Sequence, residues 1–398
     1  MSKIAFVHSN NDDVGGSDVA MWREVLACRD AGYDPVVVVS RYNLMRERYE
    51  RGSLTVHQVP MPRLSRSLNP FFYAKWLLEL FVSTVRLIRL FSRERVDLVF
   101  ANDFNELPAL IAGRFLGLPR FMRMRFILTL PAWIRRQYMT LLAWASDRVL
   151  CMSEAIRRAN FSDLTRFQDR VLTVYDWHEE NASRGLHNGE ANPFERFGIH
   201  PSARVVLMPA RMEPWKGQHV LVEAAPAILG AIPDAVILFV GDVVKGRGRE
   251  AYPERLRTQV REKGLAARVI FSGYVDNADA LIRAARVVVS CTADPPEPFG
   301  LTVLEALWYG TPLVAPAVGG PLEIVGNPPA AILYAPGNSE ELGAAVVRIL
   351  RDQELANELV RRGKERAARF TRERLWPDHE KIIEELLSTR RPVKQCYD

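Results

Sequence analysis

Apolar runs of five to seven residues, rich in valine and isoleucine, alternate with longer stretches of helical periodicity along almost the whole chain. Runs at 3–8, 34–40, 54–59, 97–101, 120–124, 148–152 and 170–175 read as strands of one sheet. After a polar stretch at 178–198 the pattern restarts, with strands at 204–210, 235–241, 268–273, 286–291, 312–316 and 330–335. Helices fill the intervals. One starts at Gly15–Gly16, and another at Asn69–Pro70, where Asn caps and Pro suits the first turn. Such alternation implies parallel sheets with helices on both faces. The expected fold class is α/β with two doubly wound domains, 1–180 and 200–370, without an internal sequence repeat. A last helix, in the segment 371–398, has no strand after it and is free to return to the first domain. Open sheets of this kind bind ligands at the carboxyl ends of their strands, so chemistry is expected just after strands, in a cleft between the domains.

Length agrees with two cores: 398 residues exceed what one core usually holds. A hydrophobic share of 48% and a charged share of 25% are those of an ordinary globular chain. The net charge is +6, and its placement says more than its size. From Leu107 to Ser146 there are six arginines and no acidic residue, so the first half carries the positive field. That field suits a phosphate-bearing or anionic-lipid partner, and equally an ordinary solvated basic surface. Cys28, Cys151 and Cys291 lie in apolar runs and read as reduced core residues; with Cys396 they show no metal or redox spacing. The chain opens on a strand without a signal peptide's apolar core, and the apolar segment 70–91 is interrupted by Lys75, Glu79, Arg86 and Arg89. A cytoplasmic protein is expected, with a peripheral position at the inner membrane face as an extension of that reading.

Three post-strand segments carry candidate chemistry. In "SNNDDVGGSDVA" (9–20), two glycines at a helix entrance let backbone approach an anion, or simply make a turn. In "ARMEPWKGQHVLVEAA" (210–225), Arg211 leaves a strand and Lys216 stands at the next helix start; they suit one diphosphate, or are surface charges. In "PPEPFGLTVLEALWYGTP" (295–312), Glu297 and the amides of Phe299, Gly300 and Leu301 sit at a helix start, with Glu305 further in. Carboxylates so placed accept hydrogen bonds from vicinal hydroxyls, or merely stabilise a helix dipole.

In order, "RMEPWKG", "VGD", "FSGYV", "EPFGLTVLEALWYGTPLVA" and "VGGPLEIV" resemble the retaining nucleotide-sugar glycosyltransferases of family 4. The resemblance covers nearly the whole chain in architecture and is strongest from about 204 to 370, with Glu297–Pro–Phe–Gly…Glu305 its most specific part. It implies two Rossmann-like domains facing across a cleft, the fold called GT-B, with the first domain binding acceptor and the second donor. It further implies that Glu297 holds hydroxyls of the donor sugar and Glu305 the ribose. Arg211 and Lys216 would stabilise the diphosphate leaving group, and Phe299, Gly300 and Leu301 would offer amides. Tyr274 and Val275 fall at the base, and Gly16 at the diphosphate. The chemistry it implies is transfer to a hydroxyl with retention, UDP-sugars favoured and GDP-sugars next. No cofactor and no metal are expected, since no Asp-x-Asp ends a strand and no histidines cluster.

The acceptor side departs from the pattern. No histidine lies between His57 and His178, where relatives often place one. Arg123 or Arg125 could stand there to meet an acidic acceptor, or be exposed strand residues. Asp103 is an acceptor contact or a helix cap. His178, in a segment that replaces a turn common in relatives, reads as structural or as part of a hinge rather than catalytic. The acceptor expected is a glycan, a lipid-linked or a small-molecule hydroxyl. The mixed aromatic and basic segments 70–91 and 120–136 suit either anionic headgroups or an ordinary packed helix. Nucleic acid is not expected, as no binding motif accompanies the charge. Two rival readings share the fold: a nucleotide-sugar 2-epimerase, and a non-catalytic subunit that binds a partner.

Overall fold

A computed structural model of the chain describes residues 1–9, 15–40, 43–63, 70–179, 192–243, 250–275, 278–292 and 294–389. Cys396, most of the polar stretch 178–198 and the middle of the loop 9–20 lie outside them. Two compact units are present: one runs to Trp177 and takes in the helix from Glu373 onward, and the other spans His178–Arg372.

In the first unit, strands β1 (Lys3–His8), β2 (Asp34–Val39), β3 (Thr55–Gln58), β4 (Leu98–Ala101), β5 (Arg120–Met124), β6 (Arg148–Cys151) and β7 (Val171–Thr173) form one parallel sheet. Its order is β3-β2-β1-β4-β5-β6-β7. β1 is an interior strand, with Ile4 opposite Pro35 on one side and Leu98 on the other. Both faces are covered, so β1, β2 and β4 are apolar almost throughout rather than alternating. The helices are α1 (Gly16–Asp30), α2 (Arg46–Arg51), α3 (Pro70–Glu94), α4 (Leu107–Phe115), α5 (Ala132–Ala145) and α6 (Glu154–Phe161). Leu87 and Phe91 of α3, Ala109 and Ala112 of α4, and Met139 and Leu142 of α5 bury one face. Met21 and Val25 of α1 bury the other.

The second unit has β8 (Arg204–Pro209), β9 (Ala235–Val240), β10 (Val269–Phe271), β11 (Val287–Val289), β12 (Leu313–Pro316) and β13 (Ile332–Tyr334), all parallel, in the order β10-β9-β8-β11-β12-β13. Around them lie α7 (Gln218–Ala231), α8 (Ala251–Glu262), α9 (Asp279–Ala284), α10 (Leu301–Tyr309), α11 (Gly320–Val325), α12 (Ser339–Arg351) and α13 (Gln353–Ala367). Asn338 caps α12 and Asp352 caps α13, each accepting backbone N–H groups of the first turn.

α14 (Arg372–Ser388) closes the chain's described part. Trp376, Ile382, Ile383 and Leu386 are buried in the same cluster as Ile4, Phe6 and Trp177 of the first unit. Trp177 and Trp376 meet edge to face at 6.1 Å. All thirteen strands appear where the periodicity placed them, most trimmed by a residue or more at one or both ends. Among the described residues no helix is long and apolar enough to cross a membrane.

Candidate functional site

In each sheet the strand order reverses between the first and fourth strands of the unit, β1/β4 and β8/β11. Loops leaving these neighbours diverge and open a crevice at the carboxyl edge. In the second unit Arg211 and Lys216 follow β8, Glu297 to Glu305 follow β11, and Tyr274 and Val275 follow β10.

Beyond β8 the chain passes Arg211, turns through Pro214–Lys216 and enters α7 at Gly217. Gly217 has φ 75°, and a Cβ there would stand 2.3 Å from the carbonyl oxygen of Cys291. Only glycine lets this turn press against the end of β11. The contact carries Lys216 to its partner: Nζ lies 2.6 Å from Oε2 of Glu297, 81 residues on. The Thr292 hydroxyl donates to the same oxygen at 3.0 Å. Each side chain of the ion pair keeps only 16% of its surface exposed, so solvent screens it less than an ordinary surface pair. The ammonium also lies 4.1 Å from the ring centre of Trp215, a cation–π contact. Arg211 is half-buried, and its carbonyl accepts the Gln218 side-chain amide at 2.7 Å.

Gly300, with φ 104°, precedes α10, and no side chain caps that helix. Its first-turn N–H groups have no partners inside the helix, and its dipole favours an anion. Phe299 turns its ring inward, fully buried, with its ring centre 6.0 Å from that of Phe370. Thr302 donates its hydroxyl to the Pro209 carbonyl at 3.3 Å, tying α10 to the end of β8. Glu305 is half-buried on α10. Tyr274 is 68% exposed and Val275 half-buried, both just past β10. A small cavity joins Lys216, Cys291, Thr292, Glu297, Gly300 and Thr302. Burial pushes the Cys291 thiol up to about 12, which keeps it protonated and unreactive.

The glycines of "VGGPLEIV" hold this segment from behind. Gly320 N–H donates to the Glu297 carbonyl at 2.9 Å, and a Cβ on Gly320 would lie 2.4 Å from Cα of Phe299. The role of the glycine pair is not legible along the chain, because its partners Glu297 and Phe299 lie more than twenty residues earlier.

In the first unit, Gly15 precedes α1 and Gly16 is its first residue. Gly15 N–H donates to Asp18 at 2.9 Å, and Asp18 in turn meets His8 Nε2 at 2.9 Å. With its proton on Nε2, His8 accepts the Asn102 amide on Nδ1 at 2.9 Å, and Asn102 accepts from Arg125 Nε at 2.8 Å. The chain of bonds therefore links the α1 entrance to β4 and β5. Asp103 caps a short turn by accepting the Phe104 N–H at 2.8 Å and is buried; burial and the neighbouring Glu106 hold its carboxyl well above the usual range.

The alternative that Arg123 and Arg125 are exposed strand residues is corrected by the structure. They are 0% and 1% exposed. Arg125 Nη1 donates to Asp176 at 2.6 Å and Nη2 to Glu24, while Arg123 pairs with the same two carboxylates. β5 is an interior strand of a sheet covered on both faces, so charge there must be neutralised internally. Burial raises the Glu24 carboxyl, whereas Arg125 and Arg123 outweigh burial at Asp176 and hold it below its ordinary value. His178, buried with its ring 4.8 Å from that of Trp308, has its N–H on the Phe370 carbonyl. That is a packing position.

Two family models match consecutive parts of the chain: a glycosyl transferase 4-like domain over residues 15–177 and glycosyl transferases group 1 over residues 191–366. The 2-deoxystreptamine N-acetyl-D-glucosaminyltransferase of Streptomyces fradiae is 29% identical over 369 residues, 86% of this chain and 84% of that enzyme. The 2-deoxystreptamine glucosyltransferase of Streptomyces kanamyceticus is 28% identical, over 83% and 88% of the two chains. Among solved structures, Anabaena HepE in complex with UDP and glucose matches with a TM-score of 0.78 and 22% identity, covering 98% of this chain and 100% of that one. Sucrose-phosphate synthase from Thermosynechococcus elongatus matches with a TM-score of 0.76 and 19% identity, over 98% and 100%. At these identities the structural likeness speaks for the fold.

Proposed function

Since this chain is a GT-B glycosyltransferase of the family 4 type, we propose that it transfers a hexose-type sugar from a nucleoside diphosphate sugar to a hydroxyl group, with retention. The observation that carries this reading is the Lys216–Glu297 pair, brought together at the ends of β8 and β11 where the strand order reverses. A cation for a leaving diphosphate and a carboxylate for sugar hydroxyls are what such a donor needs at one point.

In the proposed reaction the bond from the anomeric carbon to the phosphate oxygen breaks, and a bond from that carbon to the acceptor oxygen forms on the same face. The acceptor's proton passes to the departing phosphate. Lys216 and Arg211 stabilise the charge that develops on that phosphate. Glu297 orients the sugar through its hydroxyls, and the amides of Phe299, Gly300 and Leu301 supplement it. Glu305 holds the ribose, the backbone at Tyr274 and Val275 meets the base, and Gly16 is assigned to the diphosphate. UDP is favoured as the carrier, with GDP next; HepE, of the same fold, has been solved with UDP and with UDP-glucose. The acceptor is a glycan, a lipid-linked or a small-molecule hydroxyl, the last supported by relatives that carry 2-deoxystreptamine in their names. Asp103 remains the acceptor-side candidate.

Thermal melting with UDP, GDP, ADP, dTDP and their sugars, on wild type and Glu305→Ala, tests the donor half. A ligand that binds only the folded state raises the melting temperature with concentration. One nucleotide should do so, and Glu305→Ala should weaken the shift. No shift at millimolar nucleotide would sink the donor reading and favour the non-catalytic one. Product analysis separates transfer from 2-epimerisation.

A further inference from the structure

We propose that the outer surface formed by α3, α4 and α5 is a docking surface for an anionic lipid bilayer. The inference goes beyond the transfer reaction, and its test needs neither donor nor acceptor.

Scattered exposed apolar side chains are ordinary, whereas a concentration of them marks an interaction surface. Ten of the fourteen large hydrophobic side chains exposed among the described residues belong to these three helices. On α3, Phe71, Leu78 and Phe81 are 80%, 62% and 66% exposed; on α4 Phe115 is 75%, and on α5 Trp133 is 71% and Trp144 46% exposed. The inward side of α3 is already used, since Leu87, Leu90 and Phe91 are buried in the core and Trp76 and Leu80 pack against it. The exposed row is therefore a second apolar side on an otherwise well-packed helix. The helices form one layer on one face of the sheet, with α3 against α4 and α4 against α5.

Charge selects the occupant. The three helices carry seven basic and two acidic residues, a net of +5 against +6 for the whole chain. Lys75, Arg86 and Arg89 are exposed on α3 itself, and the Arg114 guanidinium lies 4.2 Å from the ring centre of Trp144. Beside α5, a groove of about 450 Å³ is lined by Arg136, Arg166, Leu141 and Trp144, with Asp163 as its one carboxylate. Apolar side chains, Trp and Arg interleaved in this way match the acyl–headgroup boundary of an anionic leaflet. A second copy would set one strongly basic face against another, which repels. A nucleic acid would meet the arginines and leave Leu77, Leu78 and Phe81 in water.

Co-sedimentation of the full chain with vesicles tests this. Vesicles of phosphatidylglycerol and phosphatidylcholine should bind the protein, pure phosphatidylcholine should bind it about tenfold more weakly, and high salt should reduce the difference. Leu78→Ser with Phe81→Ser, and separately Arg86→Glu with Arg89→Glu, should each lower binding about tenfold or more while thermal melting stays as in wild type. Absence of binding to the anionic vesicles, or binding unchanged by both pairs, would overturn the proposal. Self-association in sedimentation velocity that Phe81→Ser abolishes would also overturn it, by giving the face to a second copy. Binding to duplex DNA instead of vesicles would do the same.

Discussion

Lys216 Nζ and Glu297 Oε2 lie 2.6 Å apart, although 81 residues separate them. The contact joins the segment after β8 to the segment after β11, and Gly217 makes it possible by giving up a side chain against Cys291. Each group satisfies the other. Under the proposed function a donor sugar phosphate divides the pair, its phosphate taking the ammonium and its hydroxyls the carboxylate.

Lys216→Ala and Glu297→Gln should each reduce nucleotide-sugar turnover by roughly 10²–10³-fold, the scale for losing one charge-stabilising group in a site of this kind. The double variant should lose less than the product of the two effects, because the residues are in direct contact. Initial rates of nucleotide release measure this. Losses that multiply fully would show that the two groups act independently.

Gly320→Ala places a methyl 2.4 Å from Cα and 2.5 Å from the carbonyl oxygen of Phe299. The backbone must move, at about 1–3 kcal/mol of stability, and Glu297 moves with it. Calorimetry should show a lower melting temperature and a smaller shift with the bound nucleotide. Gly230→Ala is the control. It lies near the end of α7 with nothing within 4 Å of the added methyl, and should stabilise by up to about 1 kcal/mol.

Arg125→Met removes three bonds at once, to Asn102, Asp176 and Glu24, and leaves two buried carboxylates to Arg123 alone. Breaking a buried pair on one side costs about 3–5 kcal/mol. Arg125→Lys should recover little, since a point charge cannot meet three acceptors in the plane of a guanidinium. Urea unfolding of both variants distinguishes these outcomes, and a mild effect of the lysine would argue that geometry there is loose.

His379 gives stability a pH dependence. Burial, with Arg123 adding to it, lowers its imidazole from 6.5 to about 3. The unfolded chain therefore takes a proton in the window between those values and the folded protein does not. Stability from this group is complete above pH 6.5 and declines as pH falls toward 3. His379→Gln should flatten the slope of unfolding free energy between pH 6.5 and 5 by up to about 1.4 kcal/mol per pH unit. The charged groups around it, Glu24, Arg123, Arg125 and Asp176, are common to both proteins, so the comparison isolates the imidazole. Parallel slopes would mean that His379 titrates as it does in water.

Strands, their parallel pairing and the division into two doubly wound halves were all legible along the chain. Each depends on periodicity within a few residues and on alternation of strand with helix. The Glu297-to-Glu305 segment was legible for the same reason, being local. What a charge does once the chain is folded was not. "RFMRMRF" looks the same whether its arginines face solvent or each other, and it is the interior place of β5 that turns Arg123 and Arg125 inward to Glu24 and Asp176. The Gly319–Gly320 pair stands out in sequence, yet its purpose depends on a backbone more than twenty residues away. Patterns of three or four residues carry the local elements because hydrogen bonding and burial act over that range. Which distant groups neutralise one another is settled by strand order and close packing, and these place Lys216 on Glu297 and α14 on the first sheet.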